Sequence, residues 1–245
     1  MHDPRFTMQE RQKKILKAVV REYQKTGQPV ASQLLLERYH FDFSPATVRA
    51  EMLELDEEGY LQQPHTSAGR VPTDKAWRFL VNEYIDEDLM RNEKAVVRQK
   101  IANWQEESSK ETAQLLSECT RSMGISVSFG QLMDFHGSGF RWLVDEPEFE
   151  EDELKNILKC FDSLEEEFSK FFGNLEDEVA IFIGHENPIK QLRQCSLMVS
   201  GFEKDGERGV LGILGPKRMN YQKNKFVLEE TRKKIKTARK SVLKT

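Results

Sequence analysis

Apolar positions recur at helical spacing through the first third of the chain. Ile15, Leu16, Val19, Val20 and Tyr23 mark one face of a first helix. Ahead of it, Thr7-Met-Gln-Glu10 has the form of a capping box, in which two side chains satisfy backbone N–H groups reciprocally. Thr26-Gly27 and Pro29 end that helix. Ser32 caps a second, short one holding Leu34, Leu35 and Leu36, and residues 40–43 turn into a third. The third begins at Ser44, a good N-cap, with Pro45 at the first helical position, where its missing N–H costs nothing. Val48, Met52 and Leu55 share its inner face, Ala46, Thr47, Arg49 and Ala50 lie on or near the outer one, and Gly59 closes it. A two-stranded ribbon follows, with a small polar tip from His65 to Gly69 and Arg70 at its return. Thr73-Asp74 then caps a helix carrying Trp77, Leu80, Val81, Tyr84 and Ile85.

From Asp86 to about Arg121 there is neither Pro nor Gly, which predicts a connecting helix. The polar stretch 105–112 interrupts its apolar stripe, so a continuous coiled-coil seam is not expected, although the segment could pair with a second copy around Trp104. After Gly124 the period changes. Ile125-Ser-Val-Ser-Phe129 alternates as a strand, Leu132 to Phe135 suggests another, Gly137-Ser-Gly139 a turn, and Phe140 to Val144 is ambiguous. Residues 148–172 read as one acidic amphipathic helix and Val179–Ile183 as a buried strand. Leu197 to Phe202 and Gly209 to Leu214 form a hairpin across Glu203-Lys-Asp-Gly206, and a basic helix runs from about Asn224 to Lys240. The predicted fold class is therefore α+β: an N-terminal winged helix-turn-helix over 1–87, a long connecting helix over 88–122, and an α+β domain with an antiparallel sheet over 123–245.

Three helices and a ribbon, with small residues at the exposed start of the third helix, suit close approach to base edges in a major groove, and Arg70 suits a phosphate or the minor groove. The same layout also serves as a protein-binding module, and the residues alone leave both open. Charge changes the picture. The chain of 245 residues carries a net charge of −4, and residues 1–87 hold 12 basic and 14 acidic side chains. Binding there by bulk positive charge is disfavoured, so contacts must be local and specific. Residues 145–178 hold 14 acidic and 3 basic side chains, whereas 217–245 hold 11 basic and 2 acidic, so the two blocks attract one another or face different partners. A basic face on the first helix (Arg11, Lys13, Lys14, Lys17, Arg21, Lys25) is either solvated surface or a phosphate contact.

No apolar run approaches the roughly 20 residues needed to span a bilayer, and the N-terminus lacks a signal-peptide core. The cysteines, Cys119, Cys160 and Cys195, are widely spaced and read as free thiols of a cytoplasmic protein. Neither a metal site nor a cofactor is expected. Gly184-His-Glu-Asn187 reads as a polar loop whose side chains bond backbone. Gly212-Ile-Leu-Gly-Pro-Lys-Arg218 lacks the spacing of a phosphate loop, and no nucleophile–base set can be assembled, so an enzyme is not expected.

Residues 44–79, with Ser44-Pro-Ala-Thr-Val-Arg49 and Gln63-Pro-His-Thr-Ser-Ala-Gly-Arg-Val-Pro-Thr-Asp-Lys75, closely resemble the HrcA family of heat-inducible transcription repressors. The resemblance returns in Ile183-Gly-His-Glu-Asn187, Cys195-Ser196 and Gly212-Ile-Leu-Gly-Pro-Lys-Arg-Met-Asn-Tyr221. It implies a sequence-specific repressor of heat-shock and chaperone operons, bound as a homodimer to double-stranded DNA at an inverted repeat (the CIRCE element), with a chaperonin as a candidate further partner. It implies a winged helix followed by a GAF-like domain into which a dimerisation domain is inserted. Carried over, Ser44, Ala46, Thr47, Arg49 and Ala50 would meet DNA from the helix, and His65, Thr66, Ser67 and Arg70 from the wing. Ala50 stands where the family usually has Asn, and Lys217 and Asn220 where it has Thr and Asp. Around residues 123–147 the chain passes from the start of the GAF-like domain almost to its late part, so the inserted domain and several strands are expected to be missing. The alternative is a protein-interaction module of the same family that no longer binds DNA.

Overall fold

The computed structural model describes residues 8–65, 68–86, 89–105, 108–204 and 206–242. The chain divides into two compact units, Met1–Glu83 and Tyr84–Thr245.

The first unit holds α1 (Glu10–Thr26), α2 (Ser32–Arg38), α3 (Pro45–Glu57), a ribbon of β1 (Leu61–Gln62) and β2 (Val71–Pro72), and most of α4 (Asp74–Tyr84). Helix, helix, helix, antiparallel ribbon is the element order of a winged helix-turn-helix. Ile15, Leu16 and Val19 of α1, Leu35 of α2, Val48 and Leu55 of α3 and Trp77 of α4 are buried together with Leu61. The expected cap on α1 is shifted: the box is formed by Gln9 and Gln12, the Gln12 side chain accepting from Gln9 N at 3.0 Å. Thr7 lies outside the described residues. Gly27 closes α1 in the left-handed region, at φ 66°.

The second unit is built on a five-stranded antiparallel sheet in the order β4-β3-β7-β6-β5. Its strands are β3 (Met123–Phe129), β4 (Met133–Ser138), β5 (Val179–Ile183), β6 (Cys195–Lys204) and β7 (Glu207–Pro216). One face carries Ile125, Val127, Leu197, Val199 and Leu214 into a core shared with α7 (Arg141–Val144), α8 (Glu151–Cys160) and α9 (Leu164–Phe172). Phe168 and Phe172 pack there edge to face with centroids 5.1 Å apart. The other face is covered by α6 (Ser109–Thr120) and α10 (Tyr221–Val242), with α5 (Arg91–Asn103) lying against both helices. At Gly124 the α6 backbone comes so close that an added Cβ would sit 2.2 Å from Ala113 O. This is an α+β, reduced GAF-like arrangement.

Several elements differ from expectation. The connecting helix is two helices, α5 and α6, broken at the polar stretch, and both belong to the second unit. Lys234 Nζ donates to the carbonyl oxygens of Ile101, Ala102 and Trp104, capping the end of α5, and lies 5.6 Å from the Trp104 ring centroid. Trp104 is thus packed within its own unit. The acidic helix is split into α8 and α9 by a 3₁₀ turn at Phe161–Ser163. Gly137 and Ser138 belong to β4, and the chain turns at Gly139 (φ 85°) into the short helix α7. The acidic and basic blocks do meet within the unit: Arg218 pairs with Glu146 and Glu148, and Lys236 with Asp177.

Candidate nucleic-acid interface

Helix α3 starts as its sequence predicts. Ser44 Oγ accepts from Thr47 N at 3.1 Å and lies 2.9 Å from Thr47 Oγ1, with Pro45 at the first helical position. Val48, Met52 and Leu55 face inward. Ser44, Ala46, Arg49 and Ala50 are exposed and Thr47 is half-buried, so the five expected helix residues lie together on one accessible turn and a half. Two methyl side chains beside one long guanidinium leave the backbone of this turn open to close approach.

The inner side of α3 holds a charge that sequence periodicity did not reveal. Glu51 is 3% exposed, pairs with Arg11 of α1, and keeps its second carboxylate oxygen without a partner. Gln12 Nε2 donates to Glu54 Oε2 at 3.1 Å. Arg11 therefore stays half-exposed on α1 but is paired with Glu51. Lys13 lies 3.4 Å from Glu10, and Lys25 Nζ donates to Glu22 at 2.7 Å, while Lys14 and Arg21 remain exposed. Glu22, 1% exposed, also accepts from Arg38 and from Tyr39 Oη at 3.0 Å. The Lys25 hydrogen bond and these two donors hold its carboxyl below the usual carboxylate range, against the opposing effect of burial. The same pair of contacts ties α1 to the end of α2.

The wing is fixed at its base. Val30 and Arg70 exchange both backbone hydrogen bonds at 2.9 Å, adding a third, one-residue rung beside the ribbon. Thr73 Oγ1 donates to Gly59 O at 2.7 Å, and Lys75 Nζ donates to Glu58 O at 2.7 Å while lying 4.1 Å from the Tyr60 ring centroid. At the tip, Gln63 Nε2 donates to Ala68 O at 3.0 Å and His65 is exposed. Thr66 and Ser67 lie outside the described residues. Arg70 sits at the ribbon's return, at the base of the wing. Its side chain is 18% exposed, with Nε 2.9 Å from Asp56 Oδ2 and the carboxylate off the N–H axis, an ion pair without a directed hydrogen bond. A lone motif string gives no sign of that inward turn, because the partner is 14 residues away on α3.

Elsewhere the chemistry is quiet. In the Gly184 loop, Glu186 Oε2 accepts from Ile183 N at 2.9 Å, and the buried Asn187 donates to Leu192 O and accepts from Ile189 N, both at 3.3 Å. The free cysteines are buried; burial raises the Cys160 thiol to about 11 and Cys195 further, so both are protonated at neutral pH. Among the described residues no helix is long and apolar enough to cross a membrane.

The HrcA protein C-terminal domain model matches residues 74–224, more than half of the chain. This chain belongs to the HrcA family. Among its curated relatives, the heat-inducible transcription repressor HrcA of Desulforudis audaxviator is 30% identical over 89% of this chain and 73% of its own length. That of Thermodesulfovibrio yellowstonii is 28% identical over 88% and 93%. The latter alignment runs to 327 positions against a chain of 245 residues, so the relative contains internal stretches with no counterpart here. A crystal structure of a hypothetical protein aligns with a TM-score of 0.74 over 94% of this chain and 98% of that one, at 18% identity, which establishes a shared fold.

Proposed function

We propose that this protein is a sequence-specific DNA-binding repressor of heat-shock and chaperone operons, acting in the cytoplasm as a homodimer on a CIRCE-type inverted repeat. The observation that carries it is the exposed N-terminal turn of α3, with Ala46, Thr47, Arg49 and Ala50 presented beside a wing anchored at Val30. The names of the curated relatives, heat-inducible transcription repressors, support the same reading. Ser44 shapes the turn that meets DNA, Arg49 reads a guanine edge, and the ribbon tip at His65, Thr66 and Ser67 meets the backbone. Arg70 acts by holding the wing to α3 through Asp56, and reaches phosphate only by exchanging that carboxylate.

With 12 basic and 14 acidic side chains in residues 1–87, one copy gains little from bulk charge, so two copies on two half-sites supply the affinity. A chaperonin that holds the active form is the further partner this reading includes. Gel shifts with the inverted repeat against scrambled DNA of equal length test it. Preferential retention of the repeat is expected. Equal or absent retention would instead favour a protein-interaction module, to which Ala50 in place of the family's Asn also points.

A further inference from the structure

Strand β4 (Met133–Ser138) is one edge of the five-stranded sheet. Its inner side pairs with β3 without a break, from Phe129 opposite Met133 to Gly124 opposite Ser138. Beyond that ladder no backbone group of β4 makes a hydrogen bond among the described residues. A row of unpaired N–H and C=O groups is a template for a further strand, and folded proteins ordinarily blunt it with lysine, proline or a bulge. The β4 sequence, Met-Asp-Phe-His-Gly-Ser, and its unbroken register include none of the three.

Alternation divides the side chains of this edge between two faces. Met133 and Phe135 pack against the core, with the Phe135 and Phe168 rings edge to face at 5.8 Å. Asp134 and His136 stand together on the other face, 3.1 Å apart, with side chains 48% and 42% exposed. An acid and an imidazole two residues apart form a pattern that complements itself when the strand is turned end over end.

We propose that a second copy of the chain occupies this edge, β4 pairing antiparallel with β4 about a two-fold axis at Phe135. The pairing rests on the homodimer reading above and names the surface that forms it. With Phe135 on the axis, Asp134 of each copy lies opposite His136 of the other, and the two Phe135 side chains meet on the core side. A slip of two residues in either direction sets Asp134 against Asp134 or His136 against His136, and a slip of one turns the faces over, so charge and alternation select a single register. The two five-stranded sheets become one of ten strands. The contact uses both β4 edges, so it closes at two copies.

The test uses the full chain. Sedimentation equilibrium of the unaltered protein should give a dimer. His136→Glu sets two carboxylates opposite one another at both symmetric positions and should raise the dimer dissociation constant about tenfold or more. Asp134→Lys combined with His136→Glu restores opposite charges and should recover most of the loss. Register is read by cross-linking: Asp134→Cys mixed with His136→Cys should give a disulfide-linked dimer on mild oxidation, and either variant alone far less of it, because only the mixture brings two thiols directly opposite. Cys119, Cys160 and Cys195 are buried and do not compete. A dimer unaffected by His136→Glu, no recovery in the double variant, or a mixture that cross-links no better than its components would overturn this interface and leave the homodimer reading standing. A monomeric unaltered protein would overturn both. Operator binding is scored separately by gel shift.

Discussion

Gly69→Ala isolates the anchoring of the wing. A Cβ at this position would lie 2.4 Å from both the carbonyl carbon and oxygen of Val30 and 2.7 Å from Ala31 N. All three are backbone atoms, so no rotamer change relieves the overlap, and the wing must move off the α1–α2 connection. That breaks the reciprocal Val30–Arg70 pair, both bonds at 2.9 Å. Two backbone hydrogen bonds at a net of about 0.5–1.5 kcal/mol each amount to about 1–3 kcal/mol. The substitution also stiffens the unfolded chain, which offsets about 0.4–1 kcal/mol. The clash term is the larger, so a net loss of about 1–2 kcal/mol is expected. Urea denaturation measures it, and a gel shift on the same preparation should show weaker DNA binding while the variant is still folded. An unchanged urea midpoint together with unchanged DNA affinity would refute the claim that the wing is held at Val30 and acts from there.

Local signals in the sequence located most of this unit. Ser44, Pro45 and Gly59 punctuate α3, and each works through its own backbone, so a linear string suffices to read it. The β6–β7 hairpin was equally legible, because its strands are neighbours in the chain. Pairings across distance were not. Arg11 looks like one more cation on a basic face until Glu51, 40 residues on, is brought beneath it. Arg70 looks like a wing contact to DNA until α3 presents Asp56. The split between α8 and α9 escaped because Phe161 and Leu164 keep the apolar period across the 3₁₀ turn.

Further outcomes follow from named contacts. Glu22→Gln should cost about 1.5–3 kcal/mol at neutral pH, since a buried carboxylate loses charge-assisted donors. The Glu22 carboxyl is held below its ordinary value, so its contribution is full above the ordinary carboxylate pKa and fades as pH falls through the folded-state value. Urea curves of the two proteins should therefore converge at the acid end; a constant difference across pH would count against the ion-pair account. A double-mutant cycle on Arg70→Ala and Asp56→Ala should show a coupling of up to about 1 kcal/mol in stability, and strict additivity would remove the ion pair from the argument. Arg49→Ala should weaken operator binding by about 1–3 kcal/mol and relax preference at one base pair, without lowering stability; an unchanged ranking of operator variants would remove Arg49 as a base reader.

Under the proposed function the exposed turn of α3 reads DNA twice, once from each copy in a dimer. Selection of bound duplexes from a random pool, with the mass of the bound complex measured in solution, tests it most directly. An inverted repeat whose half-sites lie one helical turn or a multiple apart, bound by two copies of the chain, is expected. Recovery of no consensus, or of a single half-site bound by one copy, would contradict it.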